Sequence, residues 1–150
     1  MSNQFRFFDN VDLGGFEIVT SDMFKFERPP AMTIFLNEIS FTKEAHQNLQ
    51  NCESIQILVN SEAKTILVRS APSNEPNSIR WDNKVKETYV PRFSCPKLTR
   101  PLYYKWNWNT DYRYRTEGRL VKLDKTPVLL FDFKQAKAYN GREVKNKNES

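Results

Sequence analysis

Hydrophobic and polar residues along this chain follow two periods, and the switches between them outline its elements. "FEIVTSDMFKF", residues 16–26, reads as a short strand, a turn at Ser21-Asp22 and a further extended or helical piece that Pro29-Pro30 stops. Met32–Leu36 and Ile39–Phe41 are β-prone runs separated by the turn-forming pair Asn37-Glu38, which predicts two short strands. A helical period follows. Ala45 and Leu49 share one face of a short helix that begins at the capping residue Thr42, with Glu44 in the first turn where its charge suits the helix dipole. Ile55–Val59 and Thr65–Arg69 are β-prone again around the turn Asn60–Lys64 and predict a hairpin.

The second half repeats that order. In "RFSCPKLTRPLYYKWNWN", Ser94 is the expected N-cap, and Pro96 lies in the first helical turn, where its missing N–H is harmless. Leu98, Leu102 and Trp106 recur at four-residue spacing as an apolar stripe, and Pro101 within that run predicts a kinked or shortened helix. Tyr112–Leu123 and Val128–Phe133 then predict a hairpin around "DKTP". "ISFTKEAHQNL" and "PRFSCPKLTRPL" both place Phe immediately before the cap residue.

The expected fold is therefore α+β, with two tandem β-α-β-β-like units packed together, residues 16–72 and 80–140. The stretch 73–79, with "PSNEPN" leading into it, has linker composition. Residues 1–15 read as a flexible arm ending in Gly14-Gly15 and tacked down by Phe5, Phe7 and Phe8. The tail 141–150 has almost nothing to bury and is expected to be disordered.

Charge separates the two halves. Residues 1–79 hold 6 Lys and Arg against 10 Asp and Glu, a net −4; residues 80–150 hold 17 against 8, a net +9. A basic half beside an acidic one points to a polyanion as partner of the former, set against the plainer reading of a solvated, lysine-rich surface. No run of about 18 apolar residues is present, so no membrane span is expected. The start, "MSNQFRFFDN", lacks the layout of a signal peptide, which leaves a cytoplasmic address. Cys52 and Cys95 fit no metal or redox spacing and read as buried, reduced thiols.

The stretch "WNWNTDYRYRTEGRL", 106–120, interleaves aromatics with cations. In a strand, Tyr112 and Tyr114 share one face, while Arg113, Arg115, Glu117 and Arg119 share the other, and Gly118 invites a bulge. That places the tyrosines toward the core and the arginines outside, where they can lie along phosphates. Trp108 is either a second core contact or an exposed partner site. Lys122 and Lys125 fall near the adjoining turn, and Lys97, Arg100 and Lys105 on the polar side of the preceding helix. These eight cations are expected to form one nucleic-acid-binding surface.

Catalytic constellations are missing. His46, in a surface helix, is the single histidine and reads as solvent-facing; no Gly-rich phosphate loop occurs around Gly14-Gly15. Asp132 between Phe131 and Phe133 reads as an outward-facing strand residue, and one histidine supports no metal cluster. The reading is a non-enzymatic nucleic-acid-binding protein of accessory or regulatory type, without metal or cofactor. The rival reading is a protein-interaction or assembly module that uses the aromatic-rich second half as its interface.

Two resemblances add to this. Residues 32–72 resemble the AbrB/SpoVT-type DNA-binding domain, which runs strand, turn, strand, a short helix near a Lys-Glu pair, then two strands. Ile39-Ser40-Phe41-Thr42-Lys43-Glu44 and Ile66-Leu67-Val68-Arg69 carry the likeness. It implies an AbrB-like first unit, DNA as partner and a swapped-hairpin homodimer. Residues 16–139 also resemble a group of bacterial proteins from phage and conjugative-element neighbourhoods, through "RPPAMTI", "ISFTKEA", "ILVNSEAKTILVR", "NSIRW" and "WNTDYRYRTEGRL". That implies a role in a mobile genetic element. Some of that group are labelled integrase, but a tyrosine recombinase needs an H-x-x-R box, and His46 is followed at the third position by Leu49.

Overall fold

The computed structural model describes residues 12–24, 28–50, 52–81 and 91–140. The strands are β1 (Ala31–Ile34), β2 (Glu38–Phe41), β3 (Ser54–Asn60), β4 (Thr65–Ser70), β5 (Ile79–Arg80), β6 (Arg92–Ser94), β7 (Tyr112–Leu123), β8 (Thr126–Asp132) and β9 (Lys137–Asn140). Two helices, α1 (Lys43–Asn48) and α2 (Pro96–Lys105), complete the α+β class that the periodicity predicts. The expected tacks Phe5, Phe7 and Phe8 and the tail 141–150 lie outside the described residues.

All the strands join one antiparallel sheet in the order β5-β3-β4-β8-β7-β1-β2-β6, and β9 adds to β7. The long strand β7 is the hinge of this sheet. Its first half pairs with β1 on one side and β9 on the other; its second half pairs with β8. A 3-10 turn, Phe133–Gln135, separates β8 from β9, so the two run as one interrupted partner of β7. Both predicted hairpins form, β3–β4 and β7–β8. The strands of the first half also interleave with those of the second, through β1–β7 and β4–β8.

The sheet curls into a half-barrel whose inner face carries the core. Met32, Ile34, Ile39 and Phe41 come from one flank, and Ile55, Ile66, Val68, Leu129 and Phe131 from the other. Helix α2 closes the first flank with Leu102, Tyr103 and Trp106, the last two of the predicted stripe included, while Leu98 is half-buried. Helix α1 adds Ala45 and Leu49. Trp81 is fully buried, meets Phe41 edge-on at 5.5 Å, and donates its indole N–H to the Cys52 carbonyl at 2.9 Å. Burying such a side chain contributes on the order of 2–3 kcal/mol, and its one polar atom is satisfied here.

Several local expectations change. Residues 16–20 form no strand: Phe16, Ile18 and Val19 are 70%, 86% and 63% exposed, because no described strand lies beside them. Gly118 makes no bulge. It stays in the ladder opposite Phe131, where a Cβ would come within 2.5 Å of the ring, so glycine serves close approach instead. The N-cap of α2 is Cys95, since pairing with Glu38 extends β6 through Ser94. Thr42 does occupy the α1 cap position, but its hydroxyl accepts from the Ala31 N–H at 3.0 Å and ties the helix to β1. Helix α2 runs through Pro101 to Lys105 without being shortened. The carbonyl four residues before a proline has no donor in any helix; here the residue in that position is Lys97, in the first turn.

Candidate nucleic-acid interface

Register places the outward residues of the sheet in rows. Arg92 lies opposite Ser40, Ser40 opposite Thr33, Thr33 opposite Arg115 and Arg115 opposite Lys137. This row crosses β6, β2, β1, β7 and β9. With about 4.8 Å between neighbouring strands it spans roughly 19 Å. Arg92 at one end and Arg115 and Lys137 at the other are cationic, and Ser40 and Thr33 between them carry hydroxyls, so every member can bond a phosphate oxygen.

Aromatic rings flank the row. Arg113, one step along β7 on the same face, sits over the Tyr139 ring at 5.4 Å, and Arg92 over the Phe35 ring at 5.2 Å. Arg92 also stands 3.8 Å from the Glu38 carboxylate. Beside the row a cavity of about 640 Å³ opens between Arg28-Pro29 and the Arg115, Lys137 and Tyr139 side chains, with Glu44 and Glu117 also on its wall.

The opposite face of β7 is packed. Tyr114 stacks on Trp108 at 4.0 Å and 10°, and meets Tyr103 edge-on at 5.8 Å. Tyr112 and Tyr114 are half-buried, as their alternation requires. Trp108 is the second core contact of the two alternatives, packed on Trp106, Tyr103 and Phe133 as well. Tyr103 donates from its hydroxyl toward the Ile34 and Tyr112 carbonyls at 3.1 and 2.6 Å, and burial pushes its phenol well above the usual tyrosine range.

The eight cations expected to act together do not share a surface. Arg113 and Arg115 project from the outer face. Arg119 follows on that face farther along β7, where its charge helps hold Asp132 low. Lys122 alternates to the other face at an open strand edge, and Lys125 sits in the β7–β8 turn with φ 69°. Lys97, Arg100 and Lys105 ride on α2, which packs on the inner side of the sheet. Arg100 donates to the Asn37 side-chain oxygen at 2.8 Å, and Lys105 pairs with Glu62, lowering that carboxyl chiefly through their hydrogen bond. Arg92, Lys137 and Tyr139 complete the outer face and were not anticipated. Alternation in "KAY" is the signal that marks the last two.

His46 is half-buried and not solvent-facing: its ring meets Trp81 at 5.2 Å, and Nε2 lies 3.2 Å from the Cys52 carbonyl oxygen. Asp132 is half-buried and caps the 3-10 turn, accepting from the Lys134 N–H at 3.0 Å. Partial desolvation works to raise its carboxyl, but the Lys134 hydrogen bonds and charge outweigh it and hold the group below the ordinary carboxylate range. Cys52 and Cys95 are half-buried rather than buried, and neither is in a disulfide. Burial is the main influence on the Cys95 thiol and pushes it up, opposite to a reactive thiolate. Among the described residues no cluster of three His, Cys, Asp or Glu is placed to hold a metal ion. Among them, too, no helix is long and apolar enough to cross a membrane.

No family model, curated protein or solved structure matches the chain.

Proposed function

We propose that the chain is a non-enzymatic nucleic-acid-binding protein of accessory or regulatory type, and that it holds single-stranded DNA along the outer face of β6-β2-β1-β7-β9. The row Arg92–Ser40–Thr33–Arg115–Lys137 carries this reading. A sheet face roughly 19 Å wide is too broad to enter a major groove about 12 Å across. It suits a flexible strand whose phosphates follow the row while bases meet Tyr139 and Phe35. The phage and conjugative-element resemblance supplies the accessory role.

Two finer readings belong to the same proposal. Residues 16–72 and 80–140 are taken as like units because each contains strand, helix and hairpin in that order, β2-α1-β3-β4 and β6-α2-β7-β8. The first is taken as AbrB-like on the order β1-β2-α1-β3-β4. The protein-interaction reading of the second half has less support, because Tyr103, Trp106 and Phe133 are buried in the core.

Fluorescence anisotropy with labelled single-stranded, duplex and RNA oligonucleotides tests the function. Single-stranded DNA is expected to bind best, with log Kobs falling against log salt at about −0.7 per neutralised phosphate, roughly −3 for four cations. No binding at low salt, or binding indifferent to salt, would overturn it.

A further inference from the structure

Among the described residues, neither the segment Phe16–Thr20 nor one sheet edge has a strand partner. Phe16, Ile18 and Val19 stand 63–86% exposed on a stretch without regular secondary structure, and Leu13 and Met23 are 71% and 66% exposed. Isolated exposed apolar side chains are ordinary, but five within eleven residues need a cover.

The open edge belongs to the second half of β7. β1 pairs with β7 only as far as Glu117, and the Gly118 N–H donates to the Pro30 carbonyl at 2.7 Å. Pro30 and Pro29 have no N–H to carry the ladder on. Residues 119–123 therefore pair with β8 on one side alone among the described residues. Because backbone groups alternate along a strand, those of Leu120 and Lys122 point as Gly118 does, to the open side. Pro127 opposite Lys122 fits that alternation, since no ladder N–H is required there. Leu120 and Leu123 are 47% and 43% exposed.

We propose that the segment Phe16–Thr20 of a second copy of this chain adds to this edge as an antiparallel strand. One register satisfies every pair: Phe16 beside Leu123, Glu17 beside Lys122, Ile18 beside Val121, Val19 beside Leu120 and Thr20 beside Arg119. The hydrogen-bonding positions Leu120 and Lys122 then face Val19 and Glu17, and the apolar side chains match on both faces of the sheet. Charge agrees as well. Residues 12–24 contain Asp12, Glu17 and Asp22 and no cation, while the edge and its turn carry Arg119, Lys122 and Lys125 against Asp124. The segment comes from another copy because its own chain leaves these side chains in solvent. Ten residues lie between Val19 and Pro30, and those eleven steps reach roughly 36 Å when extended. That allows two copies to exchange segments reciprocally and close the pair.

Sedimentation of the full chain over a range of concentrations tests this. A dimer is expected, with Ile18→Asp and Lys122→Glu each weakening it at least tenfold while the circular dichroism spectrum stays unchanged. The double variant Glu17→Lys/Lys122→Glu should recover dimerisation relative to either single change. A chain that stays monomeric, or a dimer that neither single variant weakens, would overturn the proposal. Nucleic-acid binding through Arg115 is read separately, so failure of one does not decide the other.

Discussion

Arg115 and Lys137 stand directly opposite each other on β7 and β9, and no described carboxylate lies within ion-pair distance of either. Like charges in that position repel, and Glu44 and Glu117, on the wall of the same cavity, form no ion pair with either. An incoming phosphate would relieve the pair.

Arg115→Ala and Lys137→Ala are therefore expected to weaken binding to all single-stranded sequences alike. Each should flatten the salt slope by about 0.7 for each phosphate it no longer neutralises. Arg115→Glu separates folding from binding: it should place an ion pair beside Lys137 and hold or raise stability by up to about 0.5 kcal/mol, while binding falls below that of the alanine variant. Paired anisotropy and thermal denaturation read both. Binding unchanged by Arg115→Glu would remove the row from the interface.

The two faces of β7 should respond oppositely. Tyr114→Ala removes the stack on Trp108 and the hydroxyl that accepts from the Asn109 N–H at 2.9 Å, and is expected to cost about 2–3 kcal/mol of stability. Arg113→Ala should cost under about 0.5 kcal/mol and weaken binding. The reverse pattern, with Tyr114→Ala folded and inactive and Arg113→Ala fully active, would make the aromatic face the binding surface.

Tyr103 gives the fold a weakness in alkali. Its folded-state phenol is raised above the unfolded one by burial, so the folded chain retains a proton that the unfolded chain loses. The stability it contributes is complete below the unfolded value, near 10, and declines as pH rises beyond it. Urea denaturation across pH 8 to 11, about the range of tyrosine ionisation, should show that decline, and Tyr103→Phe should reduce its slope. At neutral pH Tyr103→Phe should still cost about 1–3 kcal/mol, because the Ile34 and Tyr112 carbonyls lose their shared donor.

Gly118→Ala should destabilise by roughly 1–3 kcal/mol, since the added methyl meets the Phe131 ring and the Leu130 carbonyl oxygen. Phe131→Leu alone should be destabilising. Combined with Gly118→Ala it should cost less than the sum of the two, a coupling that chemical denaturation measures. Strict additivity would show that the ring does not require the glycine.

Local pattern carried much of this architecture. β7 spans Tyr112–Leu123 as its alternation indicates, and the β3–β4 hairpin closes around Asn60–Lys64, because each signal lies within a dozen neighbouring residues. The leucine and tryptophan spacing of α2 likewise reports its own buried face. Where a residue answers to something distant, the pattern misleads. Gly118 looks like a bulge until Phe131 arrives from the next strand. Ser94 looks like a cap until β2 recruits it into β6. His46 looks exposed until Trp81 packs on it from 35 positions away.

The candidate interface shows the same division. Sequence alone determined that Arg113 and Arg115 share one side of a strand opposite Tyr112 and Tyr114, because a pleated backbone alternates whatever surrounds it. Only the tertiary structure decided which cations stand together. It set Arg92 and Lys137 in line with Arg115 and sent Lys97, Arg100 and Lys105 to the other side of the sheet. The physical reason is that strand neighbours are chosen by burial of the whole inner face. β1 and β7 meet across about 80 residues of chain because Met32, Ile34 and Tyr114 must cover the same core, and no local period records that choice.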